Sequence, residues 1–349
     1  MARAKGLFIL EESSLGLIYG PDERADLAAL VDFYAPPQTR ESIAANPALL
    51  DRVELIFSGW GGPVLDKTFL DAAPNLKAVF YGAGTLGYML TPAVWERGIM
   101  LTSALSANAI PVAEYTLATI LFSLKHGWRL ARQTKQQRRH PDRNDVPGCY
   151  GTTVGLVSLG AVGRALLQLL TPFNLRVLAY DPFLDPHEAR ALGIERATLD
   201  EVFRTSDVVS VHTPLFPETA GMITGAHLGS MKSGATFINT ARGQIVREAE
   251  MIAVLARRPD LQAILDVTTN EPTEPDSQLY DLDNVVLTPH MAGSVGAECR
   301  RMGRYMVDEL KRYLAGEPLR WAVTPELVAR SSHRPVAAAG NRRAPAGAV

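Results

Sequence analysis

A chain of 349 residues, 47% hydrophobic and 21% charged, is long enough to bury the cores of two domains. Its 35 Lys and Arg against 37 Asp and Glu give a formal net charge of −2, which excludes a global pull toward nucleic acid or an anionic membrane. The two cysteines, Cys149 and Cys299, stand far apart with no metal-ligand or redox spacing and point to a reducing, cytoplasmic setting.

Leu7 to Leu10 reads as a first strand and is too short for the apolar core of a secretion signal. Arg24 to Asp32 reads as a helix with Leu27, Leu30 and Val31 on one side. Leu55 to Ser58 is a second strand that runs into Gly59-Trp60-Gly61-Gly62-Pro63. Leu76 to Tyr81 is a third, ending in Gly82-Ala83-Gly84-Thr85. Short strands alternating with helices predict a parallel sheet, whose ligands bind just past the strands' carboxyl ends. Backbone N–H groups of Gly82, Ala83 and Gly84 can hold a small carboxylate there, although the loop alone reads first as a plain turn.

Pro111 suits a helix start, because its missing N–H would be unpaired there anyway, so a long helix is expected from Val112 to about Arg132. Ala118, Leu121, Phe122 and Leu124 make it apolar enough for burial between domains or at a subunit contact. Arg129 to Arg143 carries Arg132, Lys135, Arg138 and Arg139 with no aromatic platform interleaved, so it reads as a basic surface linker. No segment reaches the ~18 unbroken apolar residues of a membrane span.

The stretch Val154 to Asp181 organises the chain. It reads as strand, glycine turn, helix, second strand and terminal acid, which is a dinucleotide-binding βαβ unit. Gly160 clears the approach to the helix N-terminus at Ala161 and Val162, where free N–H groups and the helix dipole favour a pyrophosphate. Gly163 permits close packing of helix on strand. Asp181 stands where a carboxylate binds the adenosine ribose and repels a 2′-phosphate, so NAD is favoured over NADP. The first glycine of G-x-G-x-x-G is Ser158 here, which fits the turn if its φ stays negative and its hydroxyl bonds a backbone group.

The pattern then repeats. Leu199 to Arg204 is a helix, and Val208 to His212 a strand closed by Thr213-Pro214. Leu228 to Met231 is helical. Ala235 to Asn239 is a strand ending at Thr240-Ala241-Arg242-Gly243, and Glu248 to Arg257 a helix. Ala263 to Val267 is a strand ending near Asp266, and Val285 to Thr288 another that runs into Pro289-His290. Ala297 to Leu314 is an amphipathic helix with Met302, Met306, Leu310 and Tyr313 as its buried candidates. Residues 331–349, rich in Ala, Pro, Gly and Arg, are expected to be disordered.

Three polar residues follow buried strands of the nucleotide unit: Arg242, Glu271 and His290. A guanidinium holds a carboxylate bidentately, an imidazole transfers a proton near neutral pH, and a neighbouring carboxylate stabilises the imidazolium. That set suits reduction of a 2-oxo acid. In this sequence Thr240-Ala241-Arg242-Gly243, Asp266-Val267-Thr268-Thr269-Asn270-Glu271-Pro272 and Thr288-Pro289-His290-Met291-Ala292-Gly293 resemble signature segments of the D-isomer-specific 2-hydroxyacid dehydrogenase family. His212-Thr213-Pro214, Pro217-Glu218-Thr219 and Val112-Ala113-Glu114 resemble it too.

The resemblance implies Arg242, Glu271 and His290 as catalytic residues, with Arg242 and His290 also touching substrate beside Gly82, Ala83 and Gly84. It implies NAD bound by Ser158, Gly160, Ala161, Val162, Gly163, Arg164, Asp181, His212, Thr213, Pro214, Thr240, Ala241, Asp266, Ala292 and Gly293, with Arg164 near the pyrophosphate and Asp266 on the nicotinamide amide. It further implies two Rossmann-like, doubly wound α/β domains. An NAD-binding domain at 111–292 would be inserted into a discontinuous, flavodoxin-like substrate domain at 1–110 and 293–330. A homodimer built on the helix after Pro111 is expected, with no nucleic-acid or membrane partner. Leu86 stands where relatives place an aspartate and Ser103 where asparagine is common. Leu86 with Tyr88, Met89 and Trp60 suggests room for a bulkier substrate. An NAD(H)-sensing co-regulator of the same fold is the alternative, which the intact Arg242, Glu271 and His290 disfavour.

Overall fold

The computed structural model describes residues 3–330. The expectation of a disordered 331–349 lies outside them. The chain divides into two compact units, one formed by Met1–Ala109 with the segment from Ser294 onward, the other by Ile110–Gly293.

Unit 1 is a parallel sheet of β1 (Lys5–Ile9), β2 (Asp32–Phe33), β3 (Leu55–Ser58), β4 (Ala78–Tyr81) and β5 (Met100–Ser103), in the order β2-β1-β3-β4-β5. Both β3 and β4 are buried at every position, which is why they read as unbroken apolar runs rather than alternating ones. Helix Cys299–Ala315 turns Met302, Met306 and Leu310 into a core with Phe8, Phe57 and Phe80, the i, i+4, i+8 spacing of one helix face. Gly303 lets that helix touch the backbone of helix Glu12–Ile18, for any Cβ would overlap the Ile18 carbonyl.

Unit 2 is a seven-stranded parallel sheet. Its strands are β6 (Thr153–Val157), β7 (Arg176–Tyr180), β8 (Glu195–Arg196), β9 (Val208–Val211), β10 (Thr236–Asn239), β11 (Gln262–Leu265) and β12 (Val285–Leu287), in the order β12-β11-β10-β9-β6-β7-β8. The chain runs outward from β6 through β7 and β8, then resumes on the other side at β9. This reversal opens a crevice at the carboxyl ends of β6 and β9. The chain is therefore built from two doubly wound α/β units, the second inserted into the first.

Three expectations change. The long helix begins at Leu105, not Val112, and carries Pro111 inside it. Ala107 and Ala109 are strong helix formers, so the helix extends upstream and absorbs the one backbone bond the proline forfeits. It stops at Ser123, and His126 takes a left-handed φ of 49° before a separate helix, Gly127–Gln137. The basic stretch is thus partly helical, with Arg129 paired to Asp145 and Arg132 to Asp283. Strands β2, β5 and β8 carry too little apolar pattern to be anticipated. Among the described residues Leu105–Ser123 is long and apolar enough to cross a membrane, yet Ala107, Ala113 and Ile120 on it are buried in the units' cores.

Candidate active site

The Gly160 turn lies at the reversal of the unit 2 sheet, between β6 and helix Ala161–Leu170. A Cβ on Gly160 would meet nothing within 4 Å, so the space before the helix N-terminus is open. One on Gly163 would lie 2.6 Å from the Ser158 carbonyl oxygen. The turn therefore fits a pyrophosphate, with the N–H groups at Ala161 and Val162 facing it. Ser158 departs from the expectation of negative φ and takes +76°. A non-glycine residue is held there only by its surroundings. Its N–H donates to the Tyr180 carbonyl (2.7 Å), and its hydroxyl bonds the Thr213 hydroxyl (2.9 Å) rather than a backbone group. Serine can replace the glycine because Thr213, from the loop after β9, anchors it.

Asp181 follows β7, as expected, and its carboxylate braces the turn. Leu159 N–H donates to its Oδ2 and Phe183 N–H to its Oδ1, each at 2.8 Å. Two of its four acceptor positions remain. Asp181→Ala is expected to raise the KM for NAD, because it unties Leu159 N–H from the turn as well as removing ribose contacts. It should ease NADP binding by removing charge repulsion, so the NAD-over-NADP ratio in kcat/KM narrows by about tenfold or more. Cofactor titrations giving the parental ratio would count against this placement. Arg164 pairs with Glu188 (2.7 Å) on the helix after β7.

His212 is held neutral. Burial pushes its pKa down to about 4, its Nε2 meets the Ser210 hydroxyl at 3.1 Å, and its Nδ1 is buried with no partner. Such an orphan atom in the loop before Pro214 suits a ligand that brings its own polar group. Thr240 and Ala241 follow β10, where the Ala241 N–H donates to Asn239 Oδ1 and Asn239 Nδ2 to the Arg242 carbonyl, both at 3.0 Å. Asn239 thus fixes the loop that carries Arg242.

Arg242, Glu271 and His290 are brought together at the carboxyl ends of β10, β11 and β12. Gly243 makes this possible, because the Thr268 carbonyl and Thr269 nitrogen occupy the space a Cβ would need. The two loops touch backbone to backbone, and Gln244 Nε2 donates to the Thr269 carbonyl (2.6 Å). Arg242 is half-buried, and burial lowers its pKa from the ordinary value while the Glu271 charge works against that. His290 Nδ1 lies 2.9 Å from Glu271 Oε2. An ionised carboxylate only accepts, so Nδ1 carries the hydrogen and Nε2 is left for proton transfer. His290 itself has φ +53°, the kind of strained backbone that persists where neighbours over-determine it.

Those neighbours are arranged by Asp266. Its buried carboxylate accepts from the Thr288 hydroxyl (2.6 Å), Met291 N–H (2.9 Å) and Ala292 N–H (2.9 Å). The side chain expected to meet the nicotinamide amide is turned mainly into the His290 loop, with Gly293 at its end. Tyr115, which nothing in the sequence singled out, completes the brace with its hydroxyl 2.9 Å from that of Thr288.

On unit 1, Gly82 N–H is already committed to the Ser58 carbonyl (2.8 Å), which leaves Ala83 and Gly84 as the turn's candidates for an anion. Ser103 stands beneath this turn, its hydroxyl donating to the Gly84 carbonyl (2.7 Å). Leu86 and Met89 are fully buried in the core, so they do not widen a substrate site. Tyr88, 40% exposed, is the one of that group at the surface with half-buried Trp60.

Residues 117–292 match the model of the D-isomer specific 2-hydroxyacid dehydrogenase NAD binding domain. The chain belongs to that family. Its NAD-binding domain is unit 2, and NAD is the cofactor its residues fit. D-3-phosphoglycerate dehydrogenase of Mycobacterium tuberculosis is 35% identical over 256 residues, 72% of this chain and 48% of that protein, so the chain spans about half the length of such curated relatives. (S)-sulfolactate dehydrogenase of Chromohalobacter salexigens is 35% identical over 279 residues, 76% of this chain and 88% of that one. The fold is shared with a phosphoglycerate oxidoreductase from Rhizobium etli (TM-score 0.78, 23% identity, 93% of this chain and 100% of that one). It is shared also with D-mandelate dehydrogenase of Rhodotorula graminis (0.77, 24%, 93% and 98%).

Proposed function

We propose that the protein interconverts a 2-oxo acid and a D-2-hydroxy acid with NAD. The observation that carries this reading is the His290–Glu271 pair at 2.9 Å on strand ends shared with Arg242 and the Gly160 turn. Bound NADH supplies the hydride that reduces C2. Arg242 holds the substrate carboxylate by its planar fork and polarises the C2 carbonyl. His290 delivers one proton from Nε2 to the carbonyl oxygen, so substrate, NADH and a proton give hydroxy acid and NAD⁺; oxidation runs the same path backwards. Glu271 holds the ring and its charge. Asp266 retains an acceptor position for the nicotinamide amide.

Unit 1 acts as the substrate domain through Ala83 and Gly84, and the helix Leu105–Ser123 serves a homodimer. The substrates in the names of the two 35%-identical relatives, D-3-phosphoglycerate and (S)-sulfolactate, are three-carbon 2-hydroxy acids with a second anion, which supports a substrate of that class. A screen of 2-oxo acids with NADH and NADPH side by side tests the reading, and NADH binding without turnover of any acid would favour a cofactor-sensing role instead. Glu271→Gln is expected to lower kcat for reduction by roughly tenfold or more while leaving NADH affinity near the parent's, because an amide holds the His290 Nδ1–H less firmly than a carboxylate 2.9 Å away does. A kcat equal to the parent's would remove Glu271 from proton transfer.

A further inference from the structure

Unit 1 has a reversal of its own. Its order β2-β1-β3-β4-β5 turns back between β1 and β3, and open α/β sheets bind ligands beyond the carboxyl ends of the strands at such a point. The loops leaving these strands meet there, with Glu11 N–H donating to the Trp60 carbonyl (2.8 Å). Gly61, at φ +75°, packs so tightly that a Cβ would stand 2.7 Å from the Glu11 Cβ.

Arg40 reaches into this place from the first turn of helix Arg40–Ala45. Its Nη2 donates to the Gly62 carbonyl (2.7 Å), and its guanidinium carbon stands 5.8 Å from the Tyr88 ring centre. Its Nε is buried and has no partner. Elsewhere in unit 1, Arg97 is paired with Asp71, Arg304 with Glu23 and Asp26, and Arg312 with Glu317. Arg40 has no such carboxylate among the described residues. A half-buried guanidinium without a counter-ion is costly unless something anionic joins it. The neighbouring Glu41 carboxylate, held below its ordinary range by its own backbone and Thr39 and more weakly by Arg40, is exposed and makes no ion pair with it, and at the Tyr88 hydroxyl the positive influence of Arg40 exceeds the negative one of Glu11. Tyr88 adds a hydroxyl, largely removed from solvent, that lies 3.2 Å from the Tyr81 hydroxyl and 3.3 Å from the Gly59 carbonyl.

We propose that Arg40, assisted by Tyr88, is the specificity-determining residue for a second anionic group of the substrate. This rests on the dehydrogenase reading above. The chemistry required of that group is a compact, multiply oxygenated anion such as a phosphate ester or a sulfonate, which a guanidinium fork recognises bidentately.

The test is NADH oxidation by the full chain with three-carbon 2-oxo acids that differ only at C3: hydrogen (pyruvate), a phosphate ester and a sulfonate. The parent should prefer the dianions in kcat/KM. Arg40→Gln should lower the dianion-to-pyruvate ratio by about tenfold to a hundredfold, mostly through KM, the loss expected for one charge-assisted contact. Arg40→Lys should keep part of the ratio, because it keeps charge but loses the fork, and Tyr88→Phe should lower it less. An unchanged ratio in an Arg40→Gln protein that still reduces pyruvate overturns the proposal and leaves the dehydrogenase reading standing. If Arg40→Gln does not fold, an unchanged ratio in both Arg40→Lys and Tyr88→Phe does the same. A parent that turns over none of these acids, nor any other 2-oxo acid, overturns the dehydrogenase reading itself.

Discussion

His290→Gln is expected to lower kcat for 2-oxo-acid reduction by about 10²- to 10⁴-fold, the range for loss of a positioned general acid. NADH affinity, read from cofactor fluorescence, should stay within about threefold of the parent, because the variant removes a group acting in the transition state rather than in cofactor binding. Glutamine cannot carry the proton, although it can still bond Glu271. Arg242→Ala should differ in kind, raising KM as well as lowering kcat, because it removes a ground-state carboxylate contact together with carbonyl polarisation. A His290→Gln enzyme with kcat within a few-fold of the parent would take the imidazole out of the reaction.

Gly243→Ala should damage both stability and catalysis. The new carbon would overlap the Thr268 carbonyl and the Thr269 nitrogen, both main-chain groups, so no rotamer change relieves it. Overpacking of this kind costs roughly 1–3 kcal/mol or more. Forcing the loops apart also displaces Arg242 relative to Glu271 and His290, and a misplacement near 1 Å costs about 10²-fold in rate. Thermal melts and steady-state kinetics on the same preparation should both fall. Gly160→Ala is the internal control: its methyl meets no atom of the protein, so the melt should match the parent while NADH binding weakens. A Gly243→Ala protein as active and as stable as the parent would show that the two loops need not touch.

Much of this was legible in the order of residues. Leu55–Ser58 and Glu248–Arg257 end where their apolar patterns end, so their observed limits are the ones read from the chain. The meeting of Arg242, Glu271 and His290 was also readable, since a parallel sheet delivers every strand's carboxyl end to the same rim. What escaped depends on contacts distant in sequence. Ser158 accepts a left-handed backbone because of Thr213, 55 residues away. Asp266 faces inward because Thr288, Met291 and Ala292 bond it. Leu86 and Met89 looked available to a substrate until packing buried them. Arg40 gave no signal at all, for an arginine after a threonine is an ordinary helix start. What marks it is the combination of a buried, unpartnered Nε, the Gly62 carbonyl and the Tyr88 ring at the carboxyl ends of the unit 1 strands.

The two backbone bonds on Asp181 bear on any attempt to redesign cofactor choice. Deleting its negative charge is the obvious route to NADP acceptance. Yet the same side chain is a strut under the phosphate-binding bend, so charge and scaffold cannot be edited separately at this position. A workable redesign would supply a replacement acceptor for Leu159 N–H first, and only then introduce a cation for the extra phosphate.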